Sequence, residues 1–120
     1  MVKINTYYCD GSGWNGEKSR FVVMRNDVVL IDETTDEEFT NNQMEYAAVL
    51  NAMIVAKPND TIYTDSQLVV GQVTTGWKVN VMHLKPFQKD CETLWRYKAL
   101  KLLWVKRDEN KAGVFIENGK

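Results

Sequence analysis

The sequence predicts an α/β fold in which a mixed five-stranded sheet, three antiparallel strands followed by parallel ones, carries helices on both faces. Three observations predict it. Three β-rich runs separated by turn signals open the chain. After them strand-like runs alternate with helical ones, an order that builds a meander first and crossover units second. The segment from Met44 to Val55 is apolar nearly all round, as in a helix buried on more than one side.

Taken in order, Val2 to Cys9 combines β-branched and aromatic residues and reads as a strand, with Gly11 to Gly16 as a turn. Ser19 to Met24 and Val28 to Asp32 are short strands joined at Asn26-Asp27, a two-residue hairpin signal. Thr34 to Glu38 is polar and expected to be loop. Asn41 or Asn42 is placed to cap a helix running to about Ala56. Lys57-Pro58 stops it, because the residue before a proline is pushed out of the helical region. Thr61 to Thr64 is the next strand, and Ser66 caps a helix through Thr74 that Gly76 ends. Leu84, Phe87, Cys91, Leu94 and Trp95 recur at helical spacing, with Pro86 tolerated in the first turn. Leu100 to Val105 is the last strand, and Asn110 to Glu117 has short helical character. No repeat or low-complexity stretch interrupts this order, so residues 1–120 are expected to form one domain.

The 120-residue chain is 44% hydrophobic and 26% charged, the composition of a globular domain with a core of useful size. No run approaches the roughly 18 apolar residues of a membrane span. MVKINTYYCDG is too short and polar for a signal peptide, which sets the expectation of a cytoplasmic monomer with no membrane partner. Cys9 and Cys91 are too few for a disulfide framework or zinc cluster and read as small core residues. A net charge of −1 is unlike that of most nucleic-acid-binding domains, but the charges are segregated. Acidic residues dominate from Asp27 to Asp65 and basic ones from Lys78 to Lys111, which would suit a cation site beside a phosphate-holding segment, although composition alone favours two solvated faces.

Three acidic residues stand in unusual settings: Asp10 in YYCDGS, Glu45 in TNNQMEYAAV and Asp65 in TIYTDSQLVV. Each has an ordinary reading. Asp-Gly is a common turn pair, a helical Glu often faces a solvent gap, and Asp65 sits where a turn or cap residue belongs, although Ser66 already fills the cap. A shared reading is that the three converge. Carboxylates within about 5 Å would repel by roughly 3 kcal/mol per pair at an effective dielectric near 20, and would take up a proton or a cation. Oxygen ligands without His or Cys select a hard ion, Mg²⁺ or Mn²⁺. His83, the only histidine, reads as a surface or capping residue.

The motifs DGS, TNNxxE and DSQ, in this order and followed by a Trp-Val strand, resemble the type 1 ribonuclease H family from Ile4 to about Ile116. The resemblance implies the ribonuclease H fold and a two-metal endonuclease that hydrolyses the RNA strand of RNA/DNA hybrids. It implies that Asp10, Glu45 and Asp65 are catalytic metal ligands. It further implies that Thr40 meets a phosphate, that Asn41 and Gln67 face the minor groove, and that the backbone at Gly11 and Ser12 approaches the RNA. Amide side chains suit 2′-hydroxyls because they both donate and accept.

One element departs. The family pattern WVxRxxNxxAD meets WVKRDENKAGVFIE, which aligns Trp104, Val105, Arg107 and Asn110 but puts Val114 where a fourth carboxylate is expected. Shifting the frame by one puts Gly113 there. Asn110, Glu117, Asp108 and Glu109 are the nearby alternatives for an oxygen ligand. The loop histidine of many relatives is absent, and Arg107 lies near its place. The departure leaves a second reading open: a catalytically inactive ribonuclease H-like domain that binds hybrids or another protein. A different nuclease or integrase on the same fold is a third, which the complete TNN and DSQ elements disfavour.

Overall fold

Alternation along the first strand sorts the fold into two layers. In the computed structural model, which describes residues 3–119, β1 spans Thr6–Ser12. Its Tyr7 and Cys9 join Val23 and the helical residues Tyr46, Val49 and Met53 in the main core. Tyr8 packs with Val22, Met24, Ala112 and Ile116 in a smaller cluster. Successive side chains of a strand point to opposite faces, so one strand feeds both layers. The strand runs further than the sequence suggests: Asp10 lies inside it, since Gly11 and Ser12 still pair with Phe21 and Arg20. Its expected start at Val2 lies outside the described residues.

Strands β2 (Ser19–Arg25) and β3 (Val28–Thr35) complete the antiparallel meander. Asn26 takes a left-handed φ of 54° at the hairpin turn, a conformation Asn tolerates better than most residues. Thr34 and Thr35, expected in a loop, extend β3 because these β-branched residues pair with Arg20 and Ser19. Strands β4 (Thr61–Thr64) and β5 (Lys101–Trp104) add in parallel, giving the order β3-β2-β1-β4-β5. The last parallel pair between β1 and β4 is Cys9 with Thr64. Beyond it β1 continues against β2 alone, and a crevice opens where the two strands part.

Helix α1 (Asn41–Val55) lies across β1 and β2 and packs its other side on α3. Its cap is Thr40, not Asn41 or Asn42. The Thr40 hydroxyl accepts from the Gln43 N–H at 3.1 Å, and Gln43 Oε1 accepts from the Thr40 N–H at 2.8 Å. At the far end Lys98 Nζ donates to the carbonyls of Met53, Ile54 and Ala56 at 2.8, 2.9 and 2.7 Å, which the negative end of a helix favours. Helix α2 (Gln67–Thr74) is capped by Ser66, whose hydroxyl accepts from the Val69 N–H. Helix α3 (Lys85–Tyr97) follows a short 3₁₀ turn at Met82–Leu84. Helix α4 (Lys111–Asn118) covers the opposite face at β1 and β2. Cys9 and Cys91 are buried and unpaired, as core residues. No helix among the described residues is long and apolar enough to cross a membrane.

Candidate metal centre

Asp10, Glu45 and Asp65 meet where β1 and β4 part. One oxygen of each lies within 4.8 Å of the others, the one such group of potential ligands among the described residues. β1 carries Asp10, the first turns of α1 carry Glu45, and Asp65 follows directly on β4. Glycine makes the approach possible. A Cβ on Gly11 would overlap the backbone of Met44 and Glu45, so only glycine lets β1 lie this close to α1. The Gly13 N–H donates to Asn41 Oδ1 at 2.7 Å and ties the loop after β1 to the start of α1. On the other flank the Trp104 indole donates to the Asp65 carbonyl at 3.1 Å.

The electrostatics separate these acids from an ordinary buried one. Asp60 is also fully buried, but it accepts from the Asn5 and Lys57 N–H groups at 2.9 Å each and serves as a loop anchor. Asp10 is 3% exposed, and its Oδ1 is buried with no hydrogen-bond partner. Burial raises the Asp10 pKa to about 6, with Asp65 adding to the rise and Glu45 and Arg107 opposing it. Burial raises Glu45 further, to about 10, with Asp10 and Asp65 adding to it. A carboxylate oxygen left without a donor in a cluster that resists ionisation is in the state a cation would relieve. All three donors are hard oxygens, so the residues present fit Mg²⁺ or Mn²⁺.

A sequence profile of the RNase H family matches residues 3–113. The chain belongs to the ribonuclease H family. Three solved ribonucleases H share its fold. The N-terminal ribonuclease H domain of a Mycobacterium tuberculosis protein, solved as a fusion with maltose-binding protein, superposes with a TM-score of 0.72 at 23% identity over 91% of this chain and 86% of that one. RNase H1 from the halophilic archaeon Halobacterium salinarum gives 0.70 at 24% identity over 92% and 91%. LC11-RNase H1, isolated from compost and solved with an RNA/DNA hybrid, gives 0.69 at 21% identity over 88% of each chain. No curated protein matches the sequence.

The remaining motif residues lie on or next to the elements that carry the three acids. Ser12 lies on β1 just beyond Asp10 and Gly11. Thr40 and Asn41 are exposed at the start of α1, and Gln67 is exposed at the start of α2. Two of them have structural duties that the sequence did not reveal: Thr40 caps α1, and Asn41 Oδ1 holds Gly13, leaving its amino group as the free donor. His83 is exposed in the 3₁₀ turn.

Gly113 on α4 abuts the cluster. A Cβ on Gly113 would stand 3.5 Å from Asp10 Oδ2 and 3.6 Å from Asp65 Oδ2. Val114 is 39% exposed and lines a hollow of about 470 Å³ with Arg107, Gly113 and Glu117. Asp108 is exposed, and Glu109 pairs with Lys106 at 3.8 Å. Asn110 does reach the cluster, but with its amino group: Nδ2 donates to Asp65 Oδ2 at 3.2 Å. The sequence signal for that residue was its match to the Asn of the family pattern.

Proposed function

We propose that the chain is a metal-dependent endoribonuclease that hydrolyses the RNA strand of RNA/DNA hybrids with an altered fourth ligand position. The observation that carries this reading is the unpartnered, buried Oδ1 of Asp10 inside a cluster of three carboxylates. Family membership supports the reaction class, and the hybrid bound by LC11-RNase H1 supports the substrate. Asp10, Glu45 and Asp65 would hold Mg²⁺ or Mn²⁺, which supplies Lewis acidity and positive charge for phosphodiester hydrolysis. The chain's own residues bind and orient. Thr40 offers a hydroxyl to a phosphate, the Asn41 and Gln67 amides read 2′-hydroxyls in the minor groove, and Gly11 and Ser12 border the RNA strand.

A second reading rests on the fourth position. With Gly113 against two of the carboxylates and Val114 next to it in the chain, neither frame supplies an oxygen side chain. A domain that binds hybrids or another protein without cutting them is consistent with that. Incubation of a labelled RNA/DNA hybrid with the protein in Mg²⁺ and in Mn²⁺, beside RNA/RNA and DNA/DNA duplexes, separates the two. Cleavage confined to the RNA of the hybrid is expected. Binding without cleavage in either metal would overturn the enzyme.

A further inference from the structure

Asn110 is fully buried, and every polar atom of its side chain is engaged. Nδ2 donates to the Cys9 carbonyl at 2.8 Å and to Asp65 Oδ2 at 3.2 Å, while Oδ1 accepts from the Ala112 N–H at 3.2 Å and caps α4. The amide has one orientation. Turned over, its oxygen would face two acceptors and its amino group would face an N–H donor. The Cys9 carbonyl belongs to the last residue of β1 that pairs with β4, so Asn110 fills the place where the ladder stops. One side chain therefore joins β1, the start of α4 and a carboxylate of the cluster.

We infer that Asn110 is a positioning residue of this site: its amide fixes Asp65 in the orientation that holds a cation, without contributing a ligand oxygen of its own. The inference rests on the function proposed above. Asn110 engages Oδ2 of Asp65, a carboxylate of the cluster. It does so as a neutral donor, which adds no further negative charge beside acids that already resist ionisation. Donors of this kind orient metal-binding carboxylates, and their loss typically costs about 10- to 100-fold in metal affinity or activity.

Two variants test it, Asn110→Asp and Asn110→Ser. Both side chains are good helix caps, so both retain the role toward α4 while removing the donor to Asp65. Mn²⁺ and Mg²⁺ binding to the full chain is measured by titration calorimetry, beside kcat and KM on a hybrid and thermal unfolding without metal. Cation affinity and kcat are expected to fall about tenfold or more in both variants, with KM changed little. Variants with a lowered Tm but unchanged affinity and kcat would overturn the inference, leaving Asn110 a cap and nothing more. Tighter binding by Asn110→Asp would also overturn it, marking position 110 as a ligand site awaiting an acid. Wild-type protein that binds neither ion and cuts no hybrid would instead overturn the function on which the inference stands.

Discussion

The backbone N–H of Gly11 donates to Glu45 Oε1 at 2.6 Å, so the strand that carries one acid of the cluster holds the helix that carries another. This bond favours an ionised Glu45, yet burial and the neighbouring Asp10 and Asp65 outweigh it and the group remains far above the usual carboxylate range. The site is held together by backbone contacts and pushed apart by its own side chains. Its behaviour under mutation and pH follows from that opposition.

Asp10→Asn removes a buried charge while keeping the shape. Without metal the variant is expected to be more stable at neutral pH by about 1–3 kcal/mol, the scale of a pKa displaced by one or two units. Hybrid cleavage is expected to be lost. Calorimetric Tm and a gel cleavage assay check both. Full activity would remove Asp10 from the chemistry, and an unchanged Tm would show that its charge costs nothing in the fold.

The raised values set the sign of the pH dependence. Asp10 and Glu45 bind protons more tightly in the folded protein than in the unfolded chain, so the native state holds more protons and stability falls as pH rises. Both contribute from about pH 4 to 6, and Glu45 alone contributes from there toward about pH 10. Metal-free protein should therefore lose Tm across that range, and saturating Mn²⁺ should flatten the loss because the ion binds the deprotonated acids. A metal-free Tm that rises from pH 5 to pH 8 would contradict the account.

Asn41→Ala and Gln67→Ala are each expected to weaken hybrid binding by about 1 kcal/mol or more, the scale of a lost hydrogen bond. The loss should be larger on hybrids than on DNA duplexes, which lack 2′-hydroxyls. Asn41→Ala should also lower Tm, because Asn41 Oδ1 holds the Gly13 N–H. Equal losses on both duplexes would reduce the two residues to supports for their helices.

At the fourth position, wild-type cleavage is expected to be weaker in Mg²⁺ than in Mn²⁺, since Mg²⁺ demands near-ideal octahedral geometry. Val114→Asp should raise Mg²⁺-dependent cleavage, because position 114 shares a hollow with Gly113, which abuts two of the carboxylates. Gly113→Asp starts from contact with two carboxylates and should chiefly lower metal-free stability. Parallel rate and Tm measurements decide the frame. A gain in Gly113→Asp alone would make 113 the ligand position, and loss of robust Mg²⁺ activity in Glu117→Ala would make Glu117 the ligand.

Much of this was legible in the sequence because it depends on local pattern. Strand and helix order, the Ser66 cap, the stop before Pro58 and the convergence of Asp10, Glu45 and Asp65 all follow from periodicity, turn chemistry and motif. What escaped depends on pairing between distant segments. The extension of β1 through Asp10 comes from β2, and that of β3 through Thr35 comes from the start of β2. Thr40 displaced Asn41 as cap because Gln43 completes a reciprocal pair of bonds. That Gly113 abuts two of the carboxylates depends on how α4 seats on β1 and β2, which no local pattern records.

The parting of β1 from β4 after Cys9 is a property of the main chain, and so the crevice persists whatever side chains line it. Its occupants can change one at a time without any rebuilding of the sheet beneath them. A lineage that loses one acid there keeps a folded protein with a groove of the same shape, free to drift between cutting a nucleic acid and merely holding it. A later substitution at a single site can restore what was lost. Descent can therefore alter the trade of such a domain far faster than it alters its architecture.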